Sequence, residues 1–366
     1  MHTVLVIGGY GFFGSRVCST LAQSPSVRLL IVGRNRDRAR HAAQMLNLSA
    51  EQGVGVDVGD PHFASRLSQM GVDTVIHTAG PFQGQDYTVA RAAIEARCHY
   101  IDLADGRQFV GGIDTLDTEA KAQGVTVISG ASSVPALSSA VVEKYLPEFQ
   151  DLRSIAIGIS SGARAPGLAT VKGIFGYCGK PFCRYEGGTW VTTYGWLDLR
   201  HYRFPKPVGS RWLCSCDIPD LELFPQRYPS ARTVTFHAGF ASDLGHGVVW
   251  SLAGLVKAGL LRSASPFAGP LNHLSRWIEP LVSDKGGMFV KLGGIGRNGD
   301  RKSIVWHLVA AENHGPHIPC GASIALTQKL AAGQALPKGA MPCVGLLTVE
   351  EYLAPLKGLN IQEIAA

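Results

Sequence analysis

At 366 residues and 39.0 kDa the chain exceeds the size at which one hydrophobic core stops growing, so two domains are expected. Hydrophobic residues at 46% exclude intrinsic disorder, and the 44 glycines, about 12% against a usual share near 7%, signal many turns and close backbone approaches without a collagen-like period. The formal net charge of +6 suits an anionic ligand but comes without the concentrated basic tract of a nucleic-acid binder, so that partner is set aside.

The N-terminus runs directly into an apolar strand pattern without the features of a secretory signal, and a cytoplasmic location is expected. The most apolar tract, Val248 to Leu261, is interrupted by Gly254, Lys257 and Gly259 and falls short of the ~20 residues that span a bilayer. It reads as a buried or interface helix, with peripheral membrane contact as the disfavoured reading. The eight cysteines are expected to be packed thiols.

Val4 to Ile7 is a β-branched run of the kind a parallel strand buried on both faces requires. Phe12, Phe13, Val17 and Leu21 then recur at helical spacing, Leu29 to Val32 is a second strand, and Ala39, Ala42, Ala43 and Leu46 mark a second helix. The alternation continues through Val54 to Val56, Phe63 to Met70, Thr74 to His77, Thr88 to Ala96, Tyr100 to Leu103 and Val125 to Ile128. Six strands with intervening helices predict a doubly wound parallel sheet of Rossmann type over residues 1–130.

Between the first strand and the first helix, Gly9-Tyr10-Gly11-Phe12-Phe13-Gly14 reads G-x-G-x-x-G, the dinucleotide-binding pattern in its proper context. The first glycine permits a tight turn, the second lets backbone N–H groups approach a pyrophosphate, and the third lets helix and strand pack closely. The pyrophosphate is expected on the helix N-terminus. At the end of the second strand an NAD-preferring protein offers a carboxylate to the ribose, whereas this chain has Gly33-Arg34-Asn35-Arg36. Arg34, with Asn35 beside it and Arg38 a turn onward, suits a 2′-phosphate, so NADP(H) is favoured over NAD(H). Asp57, closing the third strand, is a candidate for adenine, and Thr78, Ala79, Gly80 and Pro81 close the fourth where a nicotinamide ribose would pass.

Beyond Ser129-Gly130 the pattern changes. Pro135 to Tyr145 reads as a helix, and Arg153 to Ser160, Thr189 to Tyr194, Arg211 to Cys216, Arg232 to His237, Met288 to Leu292 and Ser303 to Ala310 read as strands. Helices near Val248 to Leu261 and Leu271 to Leu281 interrupt them, so residues 131–315 are expected to form an α+β domain with a mixed or antiparallel sheet. Residues 316–366, helical over Ser323 to Ala332 and Val349 to Leu356, are expected to pack back on the Rossmann domain.

Asp105, just past the carboxyl end of the fifth strand, is the first candidate for a catalytic acid or substrate-amine anchor, with a turn or helix-capping role as the alternative. Asp102, inside that strand, reads as a partner for backbone N–H groups. Tyr185, placed in a glycine-rich turn before a strand, is the second catalytic candidate, and Lys172, Arg203, Arg211, His237 and His246 are individually weak candidates for holding a carboxylate. Cys178, Cys183, Cys214 and Cys216 lack paired C-x2-C knuckles, and no metal is expected. The sequence is read as lacking both a Gly-x-Ser-x-Gly elbow and a His-Glu-x-x-His helix, which sets the simplest hydrolase readings aside.

The segments Val6 to Gly14, Ala79-Gly80-Pro81-Phe82, Tyr100-Ile101-Asp102-Leu103 and Ser129-Gly130 through Pro135 together resemble the saccharopine dehydrogenase-like oxidoreductases, and Gly315 to Pro319 and Lys329 to Gly333 resemble bacterial members of that family. The resemblance implies a Rossmann domain, a mixed-sheet domain that binds a small-molecule substrate at an interdomain cleft, a homodimer, and hydride transfer between NADP(H) or NAD(H) and an imine, secondary amine or carbonyl. Ala104-Asp105-Gly106 and Pro135-Ala136 depart from the family's usual Gly-Glu and Pro-Gly, which points away from saccharopine itself as substrate. Two alternatives stand beside this reading: an enoyl reductase acting on an apolar acyl or isoprenoid-like substrate, and a non-catalytic NADP(H) sensor or scaffold.

Overall fold

The computed structural model describes residues 1–162, 167–278 and 282–365. In chain order the regular elements are β1 (His2–Ile7), α1 (Gly14–Leu21), β2 (Val27–Gly33), α2 (Arg36–Met45), β3 (Gly53–Gly55), α3 (Phe63–Gln69), β4 (Thr74–His77), α4 (Thr88–Glu95), β5 (His99–Asp102), α5 (Arg107–Gly111), α6 (Asp117–Ala122) and β6 (Thr126–Ser129). Then follow α7 (Ser138–Tyr145), β7 (Phe149–Ser161), α8 (Leu168–Tyr177), β8 (Pro181–Glu186), β9 (Thr189–Tyr194), β10 (Arg200–Arg203), β11 (Ser210–Ser215), α9 (Asp220–Arg227), β12 (Thr233–Phe240), α10 (Asp243–Lys257) and α11 (Ala268–Ile278). The last are β13 (Gly286–Gly296), β14 (Arg301–Ala310), α12 (Gly321–Ala331), β15 (Gly339–Pro342), α13 (Val349–Leu353) and β16 (Ile361–Ala365). The end of the helix expected to reach Leu281 (Glu279, Pro280 and Leu281) lies outside the described residues.

The chain divides into two compact units, one formed by Met1–Leu137 with His317–Pro355 and the other by Ser138–Pro316 with Leu356–Ala366. The first unit holds a seven-stranded parallel sheet in the order β15-β6-β5-β4-β1-β2-β3. Its central strand is buried on both faces, as the apolar run requires. Val4 and Val6 join one core with Val17, Leu21 and Ile31, while Leu5 and Ile7 join the other with Leu67, Val75 and Val89. The first core is closed by α12, whose Ile324 packs into it. The seventh strand, β15, is not among the six expected and runs parallel to β6.

The second unit is an α+β structure around a mixed sheet in the order β10-β11-β12-β7-β13-β14-β16, to which the β8–β9 hairpin adds through β12. The long strand β7 is its axis, parallel to β12 on one side and antiparallel to β13 on the other. Gly158 on β7 admits the Phe289 ring, which a Cβ would overlap. The letters Gly158-Ile159-Ser160-Ser161-Gly162 spell Gly-x-Ser-x-Gly after all, but Ser160 is buried inside β7 and not at the strand-to-helix turn that exposes a nucleophile.

Asp220, the first residue of α9, is fully buried and accepts from the Ser138 hydroxyl through Oδ1, while Oδ2 has no partner. Burial pushes its carboxyl up to about 7. A raised folded-state value makes the folded chain hold its proton longer than the unfolded chain, so stability falls as pH rises from about 4 through about 7. Asp220→Asn, neutral at every pH, is therefore expected to raise the thermal midpoint by roughly 4 °C at pH 8 and to change it little at pH 4, as measured by calorimetry.

Candidate functional site

In the first unit, β6, β5, β4 and β1 are neighbours in the sheet, so the loops at their carboxyl ends lie side by side. The β1 loop closes through a 2.7 Å hydrogen bond from Gly11 N–H to the Gly8 carbonyl. The residue with the left-handed conformation is Gly8, φ +76°, one place ahead of the glycine assigned to the turn from sequence. Gly9 is needed for packing: a Cβ there would stand 2.9 Å from Ile31 Cγ2 and 3.1 Å from Cys18 Sγ. At Gly14 a Cβ would overlap the Gly8 carbonyl and approach Thr78 Oγ1 to 2.7 Å, so only glycine lets α1 start so close to β1.

This geometry leaves a set of donors open. The N–H groups of Tyr10, Phe12, Phe13 and Gly14 meet no acceptor among the described residues, and no side chain caps α1. Backbone donors gathered at a helix start form an anion cradle, and they fit the pyrophosphate of a dinucleotide.

At the end of β2 the Tyr10 ring lies flat where a Gly33 side chain would otherwise stand. Its hydroxyl accepts from Asn35 N–H at 3.1 Å, Asn35 Oδ1 caps α2 by accepting from Arg38 N–H at 2.9 Å, and the Arg38 guanidinium stacks 4.7 Å above the Tyr10 ring. Tyr10, Asn35 and Arg38 are thus a clasp joining the first loop to α2. Arg34 stays exposed, with no carboxylate partner among the described residues, and so does Arg36, which the sequence motif does not single out. Asp57 is exposed two residues past β3 and accepts from Gly59 N–H at 3.0 Å in a local turn.

Thr78 donates its hydroxyl to the Ile7 carbonyl at 2.8 Å, tying β4 to β1 and leaving that proton committed. The next residues, Ala79 to Pro81, are cupped by Gln85, whose Nε2 donates to the Ala79 and Pro81 carbonyls at 3.1 and 2.7 Å. Gln83 Nε2 donates to Asp105 Oδ1 at 3.1 Å and so joins the β4 loop to the β5 loop. Neither glutamine stands out in the sequence, because both act through backbone or loop partners that no local pattern announces. The Asp105 side chain is exposed, yet the surrounding protein raises its pKa, with the Gln83 hydrogen bond opposing.

Asp102 is fully buried, and its Oδ1 accepts from Gly130 N–H at 2.8 Å, Ala104 N–H at 2.9 Å and the Ser129 hydroxyl at 3.0 Å. One carboxylate oxygen thereby holds the β5 and β6 loops together. Burial pushes this carboxyl up to about 6, against the pull of those donors. Nearby, His77 Nδ1 meets the Tyr100 hydroxyl at 3.1 Å, and burial holds His77 down at about 4, so it is neutral at pH 7. Tyr87 donates to the Phe109 carbonyl at 2.8 Å and is a packing residue.

The candidates of the second unit take structural partners. Tyr185 lies inside β8, not in the turn before a strand: it pairs with Trp190 across the hairpin and its ring packs on that side chain. The turn is Gly187-Gly188, just beyond the strand. His237 Nε2 contacts Asp198 Oδ2 at 3.3 Å, and the same oxygen accepts from Arg184 at 2.7 Å and from Arg200 and Ser215 at 3.2 Å. These donors, His237 first, hold Asp198 far below the usual carboxylate range. His246 Nε2 meets Cys214 Sγ at 3.3 Å. Arg211 donates to the Ser210 carbonyl and the Ser283 hydroxyl, while Lys172 and Arg203 are exposed on α8 and β10. Cys178, Cys214 and Cys216 are buried and Cys183 is exposed, and no group of three or more metal-ligating side chains occurs among the described residues.

Residues 4–128 match the family described as the saccharopine dehydrogenase NADP binding domain. The match covers the first six strands of the parallel sheet and stops at β6. The whole chain superposes on the apo saccharopine dehydrogenase (L-Glu forming) of Saccharomyces cerevisiae with a TM-score of 0.68, 15% identity and full coverage of both chains. It also superposes on the homospermidine synthase of Legionella pneumophila, solved in complex with NAD, with a TM-score of 0.61, 9% identity and coverage of 100% of this chain and 91% of that one. No curated protein matches the chain by sequence. At these identities the two structures speak for the fold alone, a dinucleotide-binding parallel sheet followed by a mixed-sheet unit.

Proposed function

We propose that the chain is an oxidoreductase that uses NADP(H) in preference to NAD(H) and transfers hydride to or from a small imine, secondary amine or carbonyl substrate. The observation that carries this reading is the anion cradle of Tyr10, Phe12, Phe13 and Gly14 N–H groups, set one strand away from Arg34 and Arg36 with no carboxylate between them. The amides bind the pyrophosphate, and Arg34, with Arg36, binds the 2′-phosphate. The bound nicotinamide supplies or accepts the hydride.

Asp105 lies on the loop that follows β5, at the carboxyl edge where doubly wound sheets bind ligands. Desolvation raises its pKa, and Gln83 fixes the carboxyl through Oδ1. In this position it gives a proton to a substrate nitrogen or oxygen as hydride arrives at carbon, or anchors a substrate ammonium. Asp105→Asn is expected to lower kcat by about 10²–10⁴-fold while NADPH affinity stays within about twofold.

The test is NADPH oxidation by the purified protein across a panel of imines, ketones and conjugated enoyl compounds. Turnover of imines or ketones that collapses in Asp105→Asn supports the proposal. Turnover of enoyl compounds alone replaces it with a carbon–carbon double-bond reductase, and binding without turnover of any class replaces it with a sensor.

A further inference from the structure

Tyr10 takes part in the first loop twice over. Its backbone N–H belongs to the open donors of the cradle, and its side chain crosses to the start of α2. The crossing is possible because residue 33 is glycine: a Cβ there would overlap the Tyr10 ring and hydroxyl. The Arg38 guanidinium lies over that ring, 4.7 Å from its centroid. Stacking engages the face of a guanidinium and leaves its N–H donors free in the plane. Arg38 is exposed, and none of its side-chain donors meets an acceptor among the described residues. An exposed arginine otherwise samples many rotamers, so the stack holds an unsatisfied cationic fork in one place.

The charges around this corner favour an anion. Arg34, Arg36 and Arg38 are all exposed, and none pairs with a carboxylate among the described residues. Asp37 stands between them in sequence, exposed in the first turn of α2 where the helix dipole favours it, and it pairs with none of the three. Across the corner, where Val56 N–H donates to the Gly33 carbonyl at 3.1 Å, Asp57 accepts from Gly59 N–H at 3.0 Å and Asp60 pairs with Arg66 at 2.9 Å. Three guanidiniums thus outnumber the two exposed and unpaired carboxylates, Asp37 and Asp57. A phosphate dianion answers that excess with charge-assisted hydrogen bonds, and a ribose hydroxyl does not.

We propose that Tyr10 is a specificity-determining residue for the nucleotide: its ring is the platform that holds Arg38 for the adenosine 2′-phosphate, a role that rests on the NADP(H) reading above. Tyr10 is a positioning residue, because it acts on the phosphate through Arg38. The ring face carries the stack, and the hydroxyl steadies the ring by accepting from Asn35 N–H at 3.1 Å. The choice of nucleotide then depends on a side chain inside the glycine loop as well as on the arginines after β2. The G-x-G-x-x-G pattern leaves that position open to any residue, so the pattern alone does not mark it.

The test is calorimetric titration of NADPH and NADH into the full chain and its variants. Arg38→Ala and Tyr10→Leu are each expected to weaken NADPH binding about tenfold, the worth of one charge-assisted hydrogen bond, while NADH affinity stays within about threefold. The double variant is expected to lose no more than Arg38→Ala alone, because without the arginine the platform has nothing to hold. Tyr10→Phe, which keeps the ring, is expected to bind NADPH within about threefold of the parent. Four results would overturn the proposal: unchanged NADPH affinity in Arg38→Ala, a Tyr10→Leu loss equal for the two nucleotides, single losses that multiply in the double variant, or a Tyr10→Phe loss as large as that of Tyr10→Leu. Arg38 is exposed, so its variant folds even where Tyr10→Leu does not, and the first result decides alone. A parent that binds neither nucleotide would remove the oxidoreductase reading itself and this role with it, an outcome distinct from a parent that prefers NADPH and variants that keep the preference.

Discussion

Gly14→Ala is expected to weaken NADPH binding by about 100-fold or more. The added Cβ overlaps the Gly8 carbonyl and comes within 2.7 Å of Thr78 Oγ1, and neither neighbour can yield cheaply. Gly8 O already accepts from Gly11 N–H, and the Thr78 hydroxyl is committed to the Ile7 carbonyl between two central strands. The start of α1 has to lift, which moves the free N–H groups of Phe12, Phe13 and Gly14 off the line of the pyrophosphate. Losing two charge-assisted hydrogen bonds at about 1.5 kcal/mol or more each gives the hundredfold. Overpacking adds a stability cost of about 1–3 kcal/mol. Gly111→Ala is the control, since a Cβ there meets open space, and it is expected to bind NADPH like the parent. Calorimetric titration and thermal melts of both variants check the pair, and unimpaired NADPH binding by Gly14→Ala would mean that the loop is not the cradle.

Asp102→Ala is expected to be the most destabilising single change in the first unit, at about 3–5 kcal/mol. It removes the acceptor shared by Gly130 N–H, Ala104 N–H and the Ser129 hydroxyl, all three buried donors, and leaves them without a partner. The effect depends on pH in a defined direction. The folded-state value of about 6 lies above the ordinary 3.8, so the folded chain binds the proton more tightly, and the stability this carboxyl contributes is fullest below pH 4 and declines as pH rises through 6. A rise of that size corresponds to about 3 kcal/mol. The gap between parent and Asp102→Ala should therefore be wider at pH 4.5 than at pH 8, and Asp102→Asn, which keeps one acceptor oxygen, should cost less than alanine. Denaturant unfolding at the two pH values measures both differences, and a gap that widens with pH would contradict the assignment.

The parts of the fold legible in the sequence are those whose burial is local and two-sided. β1, β2, β4, β5 and β6 show as short apolar runs because parallel strands packed between helices need apolar residues at successive positions. β15 is not legible: Gly339-Ala340-Met341-Pro342 has no β-branched run, and its pairing with Thr126 to Ser129 is specified by neighbours more than 200 residues away. The edge strand β10, Arg200-His201-Tyr202-Arg203, is largely exposed and carries no apolar period, and α5 and α6 are too short to show one.

The site divides along the same line. The glycine spacing and Arg34 are local signals, and the geometry gives the glycines a packing reason. The Gln83–Asp105 contact, the Gln85 cup and the three-donor Asp102 junction are tertiary, and nothing in the residues around them announces a partner. Tyr185 reads as a turn residue in the sequence because Gly187 and Gly188 follow it so closely, but the turn begins only after Glu186 has completed the strand.

The most direct measurement is a parallel titration of the purified chain with NADPH and NADH, repeated for Arg34→Asp. NADPH is expected to bind at least about tenfold more tightly than NADH, Arg34→Asp to cut NADPH affinity by about 100-fold, and NADH affinity to stay within about threefold. NADH binding as tight as NADPH, or an Arg34→Asp variant that keeps NADPH, would contradict the 2′-phosphate assignment, and binding of neither nucleotide would contradict the oxidoreductase reading as a whole.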